Sequence, residues 1–236
     1  NDLPVYFTDP KFGFSFSLDP IVKALAYSPF TYVFSANSIK SPNLVKYAAK
    51  IATSNKSCKA IRIRNCGCTT GGKAFLEEFK NTDHDYPIYY DISGNKLNDF
   101  PYLFKAFELI TAPVETLNFE DCNMNEESIL SLFDAINENE NLWEISELLI
   151  AGNYLNENCT GMFVNLMNEF QKSEIFNIMT LSFGPTENIE KLTMMIDCCN
   201  QPFQHLRIYG TKITPDSIYD LCRYFNRTET LKNLEF

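Results

Sequence analysis

The sequence predicts an α/β fold, a curved solenoid with parallel strands on its concave face and helices on its convex face. Three observations carry that prediction. A short apolar segment followed by Asn, Cys or Thr returns about every 29 residues. The hydrophobic period is two inside those segments and 3.6 between them, so each repeat holds one strand and one helix. A strand followed by a helix and then another strand cannot close a hairpin, so the strands must run parallel, and helices wider than the strand spacing force the stack to bend.

The segments, in order, are YVFSANSI, IRIRNCGC, YDISGNKL, LNFEDCNM, LLIAGNYL, LSFGPTEN, LRIYGTKI and LEF. Their first apolar positions are Tyr32, Ile61, Tyr90, Leu117, Leu148, Leu181, Leu206 and Leu234, at intervals of 29, 29, 27, 31, 33, 25 and 28 residues. These segments follow the template LxxLxLxxN/CxL of a leucine-rich repeat. In it, alternate strand residues enter the core, and a polar or thiol side chain at the turn satisfies backbone groups buried between coils. That ladder position is expected at Asn37, Cys66, Asn95, Cys122, Asn153, Thr186 and Thr211. Pro185 and Glu187 flank Thr186, and Asn188 takes the next apolar place, which predicts an irregular turn in the sixth coil.

Between the strands, apolar residues recur at i, i+3, i+4 and i+7. The sets are Phe100, Leu103, Phe104 and Phe107; Ile129, Leu132, Phe133 and Ile136; Phe163, Leu166, Met167 and Phe170; and Ile218, Leu221, Cys222 and Phe225. Ser41–Pro42 and Thr214–Pro215 read as N-cap and first-turn proline pairs, and Asp19–Pro20 opens a helix ahead of the first strand. Residues 1–29, rich in Phe and Pro, are expected to cap the first coil. Residues 30–236 form about seven full coils and the start of an eighth. The opening Asn1 and the uncapped final strand at Leu234 and Phe236 lead to the expectation that the chain is a piece of a longer protein.

Composition narrows the function. Hydrophobic residues make up 45% of the 236, enough for one continuous core. With 30 acidic against 20 basic residues the net charge is −10, which opposes binding to phosphate backbones or anionic lipid, so nucleic acid is not the expected partner. There is neither a signal-peptide layout nor an apolar run near the roughly 20 residues that span a bilayer, so no direct membrane insertion is expected. The eight cysteines fall mostly inside apolar patterns and read as reduced and buried in a cytoplasmic protein.

Catalytic and metal signals do not converge. His84 sits in NTDHDYP, a loop sequence between Asp83 and Asp85, and His205 lies in a strand with no nucleophile turn to partner it. Cys66 and Cys68 occupy core positions. Cys198, Cys199 and His205 lack a second ligand pair, and no cofactor or metal is expected. Asn55, Asn158 and Asn226 begin formal glycosylation sequons, of the kind that chance supplies in an Asn-rich chain.

Function is therefore sought on the strand residues that point away from the core. These are Arg62, Arg64 and Asn65 in the second coil, Tyr89 and Asp91 in the third, Asn118, Glu120 and Asp121 in the fourth, Glu147 and Leu149 in the fifth, and His205, Arg207 and Tyr209 in the seventh. They describe an acidic middle between basic, aromatic-bearing ends. Arg and Tyr dominate binding hot spots, and opposed charges align a protein partner. The same positions also suit plain solvated strand residues, and partners of such solenoids can sit on convex helices or rims.

The alternation of Asn and Cys along the ladder resembles the ribonuclease-inhibitor subclass of leucine-rich repeats. LDPIVKALAYSPFTYVFSANSIKSPNLVKYAAKIATSNKSCKAIRIRNCG, YYDISGNKLNDFPYLFKAFELI and AINENENLWEISELLIAGNYLNENCTGMFVNLM are similar to the entry coil and irregular early repeats of the CARMIL family, regulators of actin capping protein. That resemblance implies a non-catalytic cytoplasmic scaffold at the actin-rich cell cortex. The capping-protein-binding and proline-rich segments of that family lie beyond its repeats and have no counterpart here, so no functional residue carries over. The alternative is an inhibitor or GTPase regulator, like ribonuclease inhibitor or the Ran GTPase-activating protein, acting through concave or rim charges. An enzyme with an unfamiliar site is the third reading.

Overall fold

The computed structural model describes residues 5–8, 19–81, 87–173, 178–198 and 203–236. Nine parallel strands form one open sheet in chain order: β1 (Val5–Thr8), β2 (Val33–Asn37), β3 (Ala60–Arg64), β4 (Tyr89–Asp91), β5 (Thr116–Asn118), β6 (Glu147–Leu149), β7 (Thr180–Phe183), β8 (His205–Ile208) and β9 (Asn233–Glu235). Between them run α1 (Asp19–Ala26), α2 (Leu44–Ser54), α3 (Gly72–Phe79), α4 (Phe100–Phe107), α5 (Glu126–Glu138), α6 (Glu157–Ser173), α7 (Ile189–Cys198) and α8 (Pro215–Arg227), with a 3-10 turn at Glu140–Leu142. Among the described residues, close backbone approaches join only adjacent coils, as in a leucine-rich-repeat solenoid.

The register places Ile61, Tyr90, Leu117, Leu148, Leu181, Leu206 and Leu234 side by side, each the Cα partner of the next. The first coil departs from expectation. Phe34, not Tyr32, stands opposite Ile61, and Tyr32 precedes the strand and is exposed. The ladder position of that coil is therefore Ile39, and Asn37 lies exposed, accepting a bond from the Ser38 hydroxyl. On the other side Val5 is the partner of Phe34, so β1 and α1 continue the alternation of strand and helix.

The ladder explains why the coils stack. Asn95 is fully buried. Its Oδ1 accepts from the amides of Cys66 (3.0 Å) and Cys68 (3.2 Å), and its Nδ2 donates to the carbonyls of Ile63 (2.7 Å), Ile92 (2.8 Å) and Ser93 (3.1 Å). Asn153 repeats the arrangement with the Met124 amide and the carbonyls of Phe119 and Ile150. In the coils between, the thiols of Cys66 and Cys122 reach back to the carbonyls of Ala36 and Ile92 in the same way. Thr211 accepts from the Thr186 amide, and the Thr186 hydroxyl meets that of Thr160. The sixth turn is irregular as expected, with a cis Gly184–Pro185 peptide and a lone bridge from Leu155 to Thr186.

A second spine runs along the opposite edge, where helices return to strands, and the repeat template does not announce it. Asn55 donates to the carbonyls of Leu25 and Ser28 while accepting from the amides of Ser57 and Cys58. Asn139 does the same with Phe107, Ile110 and the Asn141 amide. Asn55 is buried by this role, so its sequon cannot be modified in the folded chain.

Three of the four predicted helical stripes are buried, on α4, α5 and α6. Phe100, Phe104 and Phe107 pack around Phe119 with ring centroids 5.1–6.2 Å apart, joining that helix to the next strand. The stripe of α8 is rotated: Ile218 and Cys222 are exposed, while Ser217, Leu221 and Tyr224 are buried, the Tyr224 ring against Phe203. Thr214 caps α8 as its sequence predicts and also closes a capping box with Ser217, whereas α2 begins at Leu44 behind Asn43, so Ser41 does not cap it.

Candidate interaction surface

Alternate residues of each strand face away from the helices and line up across the sheet. One row runs Ser35, Arg62, Asp91, Asn118, Leu149, Ser182, Arg207 and Glu235. The row beside it carries Tyr89, Thr116, Glu147 and His205. Beyond the strand ends, Asn65 and Asp121 occupy turns with φ of 52° and 55° and are exposed, so they belong to the rim rather than to the strands where they were expected.

The predicted residues separate into two clusters. In the first, the guanidinium carbon of Arg62 stands 4.4 Å from the Tyr89 ring centroid, and Arg64 Nε donates to Asp91 Oδ2 at 2.6 Å. Arg64 Nη2 also donates to the Tyr89 hydroxyl (3.3 Å). Asp91 accepts further bonds from the Ser93 amide and hydroxyl and from Asn118 Nδ2. Burial works against the charge on Arg64, but the Asp91 carboxylate outweighs it and raises the Arg64 pKa.

In the second cluster, Glu120 Oε1 accepts from the Ser182 hydroxyl at 2.7 Å, reaching past Ala151 of the coil between them. Arg207 Nε lies 3.5 Å from Glu235, and the Tyr209 hydroxyl donates to the same carboxylate at 2.7 Å. Glu147 accepts from the Thr116 hydroxyl. Glu120, Asp121, Ala151, Gly152, Arg207 and Tyr209 enclose an open recess of about 390 Å³. Its floor depends on Gly152: with φ of 78°, any Cβ there would meet Asp121 Oδ1 at 2.1 Å.

Three residues expected on the contact surface have almost no surface to offer. Asp91 is fully buried, Asn118 is 7% exposed and Leu149 is 8% exposed, because Arg64 lies over Asp91 and neighbouring strands crowd the rest. Ser182 and Glu235 were missed, although both alternate with core leucines and were outward by period alone.

Among the described residues there is no group of three or more His, Cys, Asp or Glu side chains placed to hold a metal ion. Cys66 and Cys68 point their sulfurs at backbone carbonyls, and burial raises both thiol pKa values, that of Cys68 to about 11. His205 is half-buried and faces outward from β8, while His84 and Cys199 lie outside the described residues. Among the described residues no helix is long and apolar enough to cross a membrane.

The polar ladder, the parallel register and the one-helix-per-strand order together define a leucine-rich-repeat solenoid. No protein-family model and no curated protein matches the chain. Among solved structures it is similar to an internalin from Listeria monocytogenes, at 12% identity and a TM-score of 0.47. The match covers 90% of this chain and 43% of that one, so the chain spans less than half the length of the internalin.

Proposed function

We propose that the chain is a non-catalytic scaffold holding a protein partner against its concave sheet. The observation that supports this is a line of charged and aromatic side chains along the sheet, of which Arg62, Glu120 and Glu147, with Asp121 on the rim, have no ion-pair partner among the described residues. Charges left open on a preorganised surface orient a partner without first having to break an internal contact.

The test is recovery of partners by the full-length protein and by two variants, Arg62→Ala and Glu120→Ala with Asp121→Ala. Arg64 is left intact because its removal would strand the buried Asp91 and confound binding with folding. A partner whose recovery falls at least about tenfold with either variant supports the reading, and one that ignores both and also survives a bulky Glu147→Trp overturns it. The finer assignment, a CARMIL-like regulator of actin assembly in the cytoplasm, rests on the sequence resemblance; actin capping protein among the recovered partners would support it. Acceleration of GTP hydrolysis by a recovered GTPase would replace the passive scaffold with the GTPase-regulator alternative. We also propose residues 1–29 as the closing unit of the sheet's first edge, since β1 and α1 lie over the first coil.

A further inference from the structure

We infer that the concave face receives an extended peptide segment running across the strands, with a carboxylate over Arg62 and a basic side chain four residues away in the recess beside Glu120 and Asp121. This deepens the concave-face reading above and rests on it.

At the first end, Arg62 is held ready for an anion. Its guanidinium is stacked on Tyr89, its Nε is buried without a hydrogen-bond partner, and Asp91, the acid of the neighbouring strand in its row, is bonded to Arg64. On the other side its row neighbour is the uncharged Ser35. A planar, oriented guanidinium with an open charge suits a carboxylate, which can take two parallel hydrogen bonds from it.

At the second end the balance is reversed. Arg207, which lines the recess with them, is paired with Glu235, whereas Glu120 is held only by the neutral Ser182 hydroxyl, and no ion pair reaches Glu120 or Asp121 among the described residues. Glu120 and Asp121 thus bring two negative charges to a recess whose lining cation, Arg207, already faces Glu235. Ala151 and Gly152 leave the floor open, and Tyr209 offers a ring to the methylenes or guanidinium of an entering side chain.

Spacing links the two ends. Arg62 lies on β3 and Ala151 follows β6, three strands on and two residues further along the strand direction; at about 4.8 Å per strand and about 3.3 Å per residue the separation is roughly 16 Å. An extended chain places acidic and basic residues four apart in sequence roughly 13 Å apart, and the flexible stem of a Lys or Arg side chain covers the rest. A phosphate-bearing polymer would meet the unpaired acidic wall, so a polypeptide carrying both signs is the fitting occupant.

The experiment is an NMR titration of the ¹⁵N-labelled 236-residue chain with three terminally blocked peptides, EAAAR, EAAAE and RAAAR. The expected result is that EAAAR binds about tenfold tighter than either control, with amide shifts at Tyr89 and Gly152. Arg62→Ala should remove its advantage over RAAAR, and Glu120→Gln with Asp121→Asn its advantage over EAAAE, in variants whose amide spectra remain dispersed. Equal affinity of the three peptides, or shifts confined to the convex helices, overturns the inference. A bulky Glu147→Trp placed mid-face separates this from the broader reading in partner recovery. Binding that survives Glu147→Trp refutes concave docking altogether, while binding lost there but indifferent to both charge variants refutes only the two-charge spacing.

Discussion

Replacing Asn95 with Ala tests the stacking directly. The side chain is fully buried and joins two coils through five hydrogen bonds, two accepted from the amides of Cys66 and Cys68 and three donated to carbonyls. Truncation leaves two buried amide protons with no Oδ1 to meet, at about 1–3 kcal/mol each. The carbonyls keep other lone pairs and add less, so a total of about 3–5 kcal/mol is expected, a large share of the roughly 5–15 kcal/mol that holds a domain together. For a chain of this length that corresponds to about 6–20 °C in Tm, read by thermal unfolding with circular dichroism. Asn95→Cys provides an internal standard, because Cys66 and Cys122 hold the same place in adjacent coils and each returns a thiol bond to the preceding strand. It should unfold between the parent and the Ala variant. A Tm drop below about 3 °C for Asn95→Ala, or a Cys variant weaker than the Ala one, would show that the ladder does not join the coils as described.

Two other outcomes follow from the burial and bonding of particular groups. Cys58, Cys68 and Cys159, their thiols pushed up to about 11 by burial, and Cys122, pushed up to about 12, should resist a thiol reagent at pH 8 until the chain unfolds, while the exposed Cys198 and Cys222 react at once. Mass spectrometry of the labelled peptides checks this, and early modification of Cys122 would contradict the packing. The bond from Tyr209 holds the Glu235 carboxyl below the usual range, with Asn233 adding to it, and in turn raises the Tyr209 pKa. The carboxylate's share of stability is therefore present above its unfolded pKa and lost as pH falls through the folded one. The tyrosine's share is present below its unfolded pKa and lost as pH rises through the folded one. Tyr209→Phe should move the Glu235 midpoint upward in a carboxyl NMR titration, and an unmoved midpoint would refute the bond.

The sequence made the middle of the solenoid legible because the repeat there is a chemical necessity. Asn95 and Asn153 must serve backbone groups of two coils at once, so their positions fix the register from Ile61 to Leu234. The first coil was misread for a local reason: SAN ends in an asparagine that imitates the ladder, and only pairing with β3 reveals that Phe34 is the core residue and Asn37 a surface one. On α8 the 3.6-residue period fits either of two overlapping faces, and packing against Phe203 selects Tyr224 over Ile218. On the concave side, alternation shows which residues leave the core but not which are then covered. Asp91 points outward yet is sealed beneath Arg64, a fact that depends on the rotamer of a residue one strand away. The spine of Asn55 and Asn139 was invisible because those residues sit in segments of variable length, outside any fixed spacing.

The hydroxyl of Ser182 bound to Glu120 has a mechanical consequence. In a chain of stacked coils, stability is usually a sum over nearest neighbours, and an interior unit can loosen while its second neighbour stays unaware of it. Here a side chain steps over one unit to grip the next, so loosening the coil of Ala151 displaces both ends of that grip. The three consecutive units thus share one bond beyond their nearest-neighbour contacts, worth about 1.5–3 kcal/mol for a charged acceptor.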